Sequence, residues 1–441
     1  MTPHLSAAPP ELEGKIVTPV DPRYLLLRST HTGVAEPALV LLPESTTEVV
    51  AALRFARDRD LPVTVRSGGH GVSGHATHDG GVVIDLSALN RVEVLDRRKR
   101  LVRVQAGARW AAVGQSLAPY GLAIGSDDHG DLGVGGLATG GGIGWLVRDY
   151  GLTIDRIRAA DVVLADGTIA RADAEHDPDM LWAVRGAGAG VGIVVEFEIE
   201  AMEVCDVGYV QIAVEIKRDG RALRQWADHM ASATRGLTTT VSVQSCGSAL
   251  VASITAVVAG TDRHHLRAAV EPLLLIGTRL LDLNVRLTPY HALLATPHLY
   301  PGSGQQAGAT TNGLLRAMTD DDATAIMAAA TMPQQPSIQL RSVGGAVNDV
   351  PAGATAYPHR HQDTLVIASV FPPRRGAELD AVWQPLAGRS DGAYGGFESR
   401  PGPDAFARIY PGATGQRVTR LWNRYDPDGV FRRKEPGRGR G

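Results

Sequence analysis

Apolar positions near the start of the chain change period twice within thirty residues. PALVLLP, residues 37–43, is a short apolar run closed by Pro43. In STTEVVAALRFARDRD the apolar residues Val49, Leu53 and Ala56 recur at helical spacing, behind Ser45 and Glu48 at the separation of a capping box. LPVTV then alternates, with Leu61, Val63 and Val65 on one side. The pattern predicts strand, helix and strand, and puts Arg66 to His70 at the C-terminal end of the second strand, where α/β units place ligand contacts. GGVVIDLSAL, RVEVLD and LVRVQAG read as further strands, the last two joined by a solvated basic tip, Arg97 to Arg100. RWAAVGQSLAPYG suits a helix ending at Gly121, and VVLADGTIA a hairpin with Asp166-Gly167 as a type I′ turn.

Past residue 205 glycine thins out, and long alternating stretches such as VQIAVEI and SALVASITAVVAG predict extended antiparallel strands among helical segments. GQRVTRLWNRYDPDGVF reads as an amphipathic helix stopped by Asp426-Pro427, and KEPGRGRG as a solvated, disordered end. The expected fold class is α+β, with mixed strand pairing in the N-terminal part and a second domain of antiparallel sheet with flanking helices. The expected division is 1–204, 205–395, a C-terminal return at 396–433 and a tail at 434–441.

Chemistry gathers at the glycines. VRSGGHGVSGH, residues 65–75, sets a histidine behind paired glycines; such glycines let backbone amides approach a ligand and form a nest for an anion such as a pyrophosphate. Taken alone, the stretch is equally a surface turn. DLGVGGLATGGGIG, residues 131–144, holds seven glycines in fourteen residues with apolar residues interleaved, which reads as a packed loop running flush against something flat or anionic. No G-K-[ST] follows, so it is not a P-loop, and its glycines are not expected to open a helix as a Rossmann fingerprint requires. LWAVRGAGAGVGIVVEFEI, residues 181–199, is a third cluster that ends in a strand. Two distant clusters converging on one cofactor is the better reading.

Composition removes several alternatives. The 441 residues carry 44 Lys and Arg against 47 Asp and Glu, a net charge of -3 that provides no basic surplus for nucleic acid. Cys205 and Cys246 form neither a disulfide framework nor a metal-ligand spacing, and buried or inert thiols are expected. No leader pattern or apolar run of membrane-spanning length is present, so the expected location is the cytoplasm, with no membrane and no nucleic-acid partner.

With these segments in view, the sequence resembles the flavoproteins of the vanillyl-alcohol oxidase and p-cresol methylhydroxylase fold, in particular their berberine-bridge-enzyme-like branch with covalently bound FAD. Five segments carry the resemblance in order: residues 37–70, GVGGLATGGGIGWLVRDYGLTIDRI, LWAVRGAGAGVGIVVEF, TAYPHR and RYDPDGVF. It implies a two-domain FAD-binding fold with an antiparallel-sheet substrate domain. The implied activity is an FAD-linked oxidase or dehydrogenase that takes a hydride from an alcohol, phenol or amine-bearing small molecule, with oxidative ring closure among the outcomes; a redox-neutral cyclase or isomerase is the alternative. Electrons would leave to O2 or another acceptor.

Residue by residue, the resemblance implies that His70 bonds the flavin and that the amides of Arg66, Ser67, Gly68, Gly69 and Gly71 hold the pyrophosphate. Cofactor contacts are also implied for Leu132, Gly133, Gly135, Gly136, Gly141, Gly142, Gly144, Gly192 and Val194. His129 stands where many relatives carry a second, cysteine tether, which implies one bond through His70. Leu132 stands where plant relatives use a small residue to admit oxygen. Leu137 and Gly190-Val191 replace a frequent histidine and a frequent Asn-Phe. On the substrate side the implied residues are Tyr357, His359 and Arg360 on a strand, with Tyr357 or His359 as base, and Tyr394 of a Y-x-N motif whose asparagine is here Gly396. Tyr290 and His291 lie in another family-like substrate segment. His75 and His78, beyond the motif, are expected at the surface.

Overall fold

The computed structural model describes residues 9–431 except 32, 205, 248, 295–307 and 401. The tail expected at 434–441 and Cys205 lie outside the described residues. The first sheet holds β1 (Ile16–Val17), β2 (Leu39–Leu41), β3 (Val63–Arg66) and β4 (Val82–Asp85) in the order β1-β2-β4-β3. β4 is parallel to both β2 and β3, while β1 is antiparallel to β2. The helix Thr46–Arg57 links β2 to β3. Ser45 Oγ accepts the N–H of Glu48, and Val49, Leu53 and Phe55 are buried on its inner side. Glu48 does not complete the expected capping box. Its carboxylate takes the N–H of Glu44, at 2.9 Å, and pairs with Lys15.

β5 (Val92–Asp96) and β6 (Leu101–Gln105) form the expected hairpin. Beyond β7 (Leu122–Ala123), β8 (Ile157–Val163), β9 (Ile169–Asp173) and β10 (Ile193–Glu200) complete a five-stranded antiparallel sheet, order β5-β6-β10-β8-β9. The β8–β9 turn differs from the expected type I′. Of its residues only Gly167 has positive φ, +83°, and Leu164 spans a three-residue loop to Thr168, so one glycine suffices. β7 pairs with β11 (Met202–Glu203).

The third sheet is antiparallel throughout. Its strands are β12 (Asp206–Ile216), β13 (Leu237–Cys246), β14 (Ala249–Ala259), β15 (Arg279–Pro289), β16 (Ala309–Leu315), β17 (Ser337–Ser342) and β18 (Thr364–Val370), in the order β15-β12-β14-β13-β17-β18-β16. Alternation decides its two faces. Val210, Ile212, Val241, Ile254 and Leu340 pack with Leu223, Trp226, Ile326 and Leu379 of the covering helices in one core. Leu314, Leu365 and Ile367 point the other way and join the core of the first two sheets. The helix Gly412–Tyr425 returns to that first core through Val418, Leu421 and Tyr425. Cys246, at the end of β13, is exposed rather than buried.

Candidate functional site

The loop after β3 and the loop before the helix Val134–Gly140 touch backbone to backbone. A Cβ on Gly68 would sit 2.1 Å from Gly133 N, and one on Gly133 would sit 2.1 Å from Ser67 Oγ. Glycine at both positions is therefore a packing requirement. Arg109 Nη1 donates to the carbonyls of Gly68, at 2.8 Å, and Asp131, at 2.6 Å, and so ties the loops together. Ser67 Oγ adds a bond to Ala106 O and accepts Gly135 N–H. The second glycine run is a correction to its reading as a loop: it forms the helix Val134–Gly140 behind Gly133.

This contact brings His70 and Asp131 together. His70 Nε2 lies 3.0 Å from Asp131 Oδ2, and its ring stacks on His31 with centroids 4.4 Å apart. An ionised carboxylate only accepts, so the ring donates from Nε2 and a neutral imidazole keeps its lone pair at Nδ1.

His70 faces a cavity of about 1640 Å³. Ser67, Gly68, Gly69, Gly71, Leu132, Gly133, Gly135 and Gly136 form one wall, and Gly192, Val194 and residues 186–190 another. Tyr357, Tyr394 and Phe397 close one side and residues 428–431 another. No residue of β12 to β18 is among the lining. Gly136 and Gly140 have nothing within 4 Å of an added Cβ, so open space lies directly over bare backbone. A long groove with glycine walls and a nearly buried imidazole on its edge fits FAD: residues 67–71 and 133–136 would hold it, with His70 beside the ring.

Other expected residues stand behind the wall or away from it. Arg66 is 5% exposed and spends its guanidinium on Asp85, 2.6 Å away. Cβ positions on Gly141, Gly142 and Gly144 would fall 2.6 Å from Tyr394 Cε2, 2.0 Å from Thr153 Oγ1 and 1.4 Å from Ser126 O, so these glycines shape the support and not the lining. The His129 side chain, half exposed beside Asp128, is not among the lining residues. TAYPHR is not a strand: residues 355–360 run in irregular backbone before β18, with Pro358 unable to donate to a ladder. Tyr357 reaches the cavity, whereas His359, the other expected candidate base, is not among the lining residues although its ring lies edge-on to Tyr357 with centroids 5.4 Å apart. His359 is buried, with Nε2 bonded 3.0 Å from Ile409 O, and burial lowers it to about 4. Arg360 is fully buried on Asp155. Tyr290 and His291 pack away from the cavity, Tyr290 in an apolar cluster and His291 against Gly114. His75, exposed, and His78, half-buried, do reach the cavity wall.

Tyr394 is held with care. Asn312 Nδ2 donates to its carbonyl at 2.9 Å, Asn312 Oδ1 accepts its N–H at 2.7 Å, and its hydroxyl accepts Gly142 N–H at 3.1 Å. A Cβ on Gly396 would lie 2.6 Å from its ring, so glycine suits this position, where the resemblance led asparagine to be expected. A Cβ on Gly190 would likewise strike the Trp422 indole at 2.4 Å. Burial raises Tyr394 to about 12 and Tyr357 higher still, so both hydroxyls stay protonated.

Sequence reasoning missed a carboxylate. Asp127 lines the cavity, and its Oδ1 takes Arg341 Nη1 at 2.6 Å and Asp128 N–H at 2.8 Å. Arg341 Nη2 holds Asp128 at 2.9 Å, and its guanidinium lies 4.8 Å over the Phe397 ring. Burial pushes Asp127 up to about 6 against the pull of Arg341, while at Asp128 burial is overcome by the charge of Arg341 and the hydrogen bonds to its carboxylate acting together, which hold it low. The Asp-Asp pair was visible in DDHGDLGVGG, but its arginine comes from β17, 213 residues on.

Comparison with known proteins agrees with this geometry. Residues 37–173 match the family described as FAD binding domain. (R)-6-hydroxynicotine oxidase of Paenarthrobacter nicotinovorans is 34% identical over 200 residues, 45% of this chain and 43% of that protein. The match thus spans under half of that relative's length. An uncharacterised FAD-linked oxidoreductase, YgaK of Bacillus subtilis, is 24% identical over 96% of both chains. Among solved structures, Physcomitrella patens BBE-like 1 superposes with a TM-score of 0.86 at 18% identity, over 95% of each chain. Glucooligosaccharide oxidase from Acremonium strictum, described with a 6-S-cysteinyl, 8α-N1-histidyl FAD, gives 0.82 at 21% identity over 94% of this chain and 95% of that one. Among the described residues no helix is long and apolar enough to cross a membrane. The chain therefore carries an FAD-binding domain at residues 37–173, within the overall fold of the berberine-bridge-enzyme-like FAD oxidoreductases.

Proposed function

We propose that the protein is an FAD-dependent oxidoreductase acting on an alcohol, phenol or amine-bearing small molecule, with the flavin tethered through His70. The observation that carries this reading is the pairing of His70 with Asp131 at the edge of a glycine-walled cavity. Bound FAD would supply a hydride acceptor. Asp131 holds the Nε2 proton of His70 and so presents Nδ1 as the bonding nitrogen. The neighbouring amides of residues 67–71 would receive the pyrophosphate, since those of Val134 and Gly135 are already bonded to Ala108 O and Ala106 O. His129 lies off the lining, which supports a single tether.

Of the groups facing the substrate space, Asp127 is the fit proton acceptor, because it titrates near neutrality while both tyrosines hold their protons. Tyr357 and Tyr394 orient the substrate by donating hydrogen bonds. Leu132 lines the cavity beside Gly133, and electrons would leave to O2 or another acceptor.

Acid denaturation followed by intact mass tests the tether: the polypeptide should carry one FAD mass and remain yellow, and His70→Ala should release free FAD. Protein without flavin in either fraction would overturn the reading. Anaerobic mixing with a panel of alcohols, phenols and cyclic amines should bleach the flavin with at least one. Conversion without bleaching would establish redox-neutral chemistry instead.

A further inference from the structure

The third sheet ends at β15, which pairs with β12 on one side; among the described residues no strand pairs with its other edge. Nine consecutive residues, Arg279 to Leu287, are exposed. Leu280, Leu281, Leu283, Val285 and Leu287 keep 41 to 50% of their surface accessible. An eleven-residue strand with open N–H and C=O groups and apolar side chains is a template for further pairing, and soluble proteins otherwise blunt such edges.

Register shows where the apolar stripe leads. Leu283 and Val285 lie opposite Ile212 and Val210 of β12, which belong to the core under the covering helices. That core therefore runs on to the rim of the sheet. A bulge leaves Leu281 unpaired with β12 and so sits outside the segment Asp282–Arg286.

This segment is self-complementary. A two-fold axis perpendicular to the sheet pairs residues of equal parity, and placed at Asn284 it sets Asp282 opposite Arg286 and Leu283 opposite Val285, each twice, with Leu281 facing Leu287 outside them. Shifting the axis to Val285 puts Asp282 against Thr288 and Asn284 against Arg286; shifting it to Leu283 puts Leu280 against Arg286. Only the Asn284 axis joins the opposite charges and keeps apolar with apolar. Neither Asp282 nor Arg286 has an ion-pair partner among the described residues, although Arg286 lies 4.6 Å over the Tyr209 ring.

We propose that two copies of this chain join edge to edge through β15, antiparallel about Asn284, so that two seven-stranded sheets become one continuous sheet. The occupant of the edge is a second copy, because the edge is complementary to itself in charge and in apolar pattern.

Sedimentation velocity of the full-length, flavin-loaded protein over a range of concentrations tests this. The wild type should sediment at twice the chain mass. Asp282→Arg and Arg286→Asp each place like charges opposite one another twice, and each should weaken dimerisation by about tenfold or more. The double variant D282R/R286D restores both pairings and should return the dissociation constant to within about threefold of wild type. Flavin content and circular dichroism should be unchanged in all three, which separates a lost interface from a lost fold. A monomeric wild type at every concentration would overturn the proposal, as would a dimer indifferent to the single reversals or a double variant that stays monomeric.

Discussion

Arg360 and Asp155 meet in a two-bonded ion pair, Nη1 to Oδ2 at 2.9 Å and Nη2 to Oδ1 at 2.7 Å. The arginine has no exposed surface and also donates to the carbonyls of Val347 and Tyr357. It thereby fixes the irregular segment that delivers Tyr357 to the cavity. Arg360→Met leaves the Asp155 carboxylate buried without its partner, and should cost about 3–5 kcal/mol in urea unfolding. A variant as stable as wild type would remove the pair from the support of the site.

His359 gives a separate pH signature. Its folded value of about 4 lies below the ordinary 6.5, with burial as the main cause. Between those values the unfolded chain binds a proton that the folded chain does not, so stability falls as pH drops from 6.5 towards 4. The loss is about 3 kcal/mol. His359→Gln keeps a donor for Ile409 O and should flatten that part of the stability curve, read as melting temperature against pH.

Gly68→Ala drives a methyl group into Gly133 N and should part the two loops. The expected result is a folded protein that no longer retains flavin through gel filtration, with the circular dichroism of the other sheets intact. Retention equal to wild type would mean that the loops yield without loss of the cradle.

Asp127→Asn keeps the shape of the side chain but cannot accept a proton. With a substrate that bleaches the wild type, the rate of flavin reduction should rise with pH through about 6, where Asp127 ionises. The variant should lose that rise and slow by roughly 10² to 10⁴. An unchanged pH limb in the variant would assign the proton to another group.

Tyr394→Phe removes the acceptor of Gly142 N–H. A buried N–H without a partner costs about 1–3 kcal/mol, so urea unfolding should shift by that amount while Asn312 still holds the backbone of residue 394.

Local structure was legible where period and caps carry it: the helix Thr46–Arg57 behind Ser45, the β5–β6 hairpin and the C-terminal helix all follow from spacing alone. The glycine clusters also announced a cradle, because few other roles need so much bare backbone between apolar residues. What could not be read was pairing at a distance. His359 looked chemically apt, yet Ile409 O and burial claim it. Asp127 looked unremarkable until Arg341 arrived from a strand of the other sheet. The run after Gly133 contained its own helix signal in Val134, Leu137 and Ala138, whose burial overrides the low helix propensity of the glycines among them.

His70 and Asp131 are sixty-one residues apart and belong to different loops, joined by Arg109 and by the Gly68–Gly133 contact. Neither loop alone assembles the pair, so the chain must close this long-range junction before the imidazole is set for its bond. A tethered flavin would then be a permanent record of folding history: molecules that once completed the junction carry the mass, even if they later unfold, and molecules that never did remain bare. The ratio of the two in a fresh preparation would measure the yield of folding in the cell that made it.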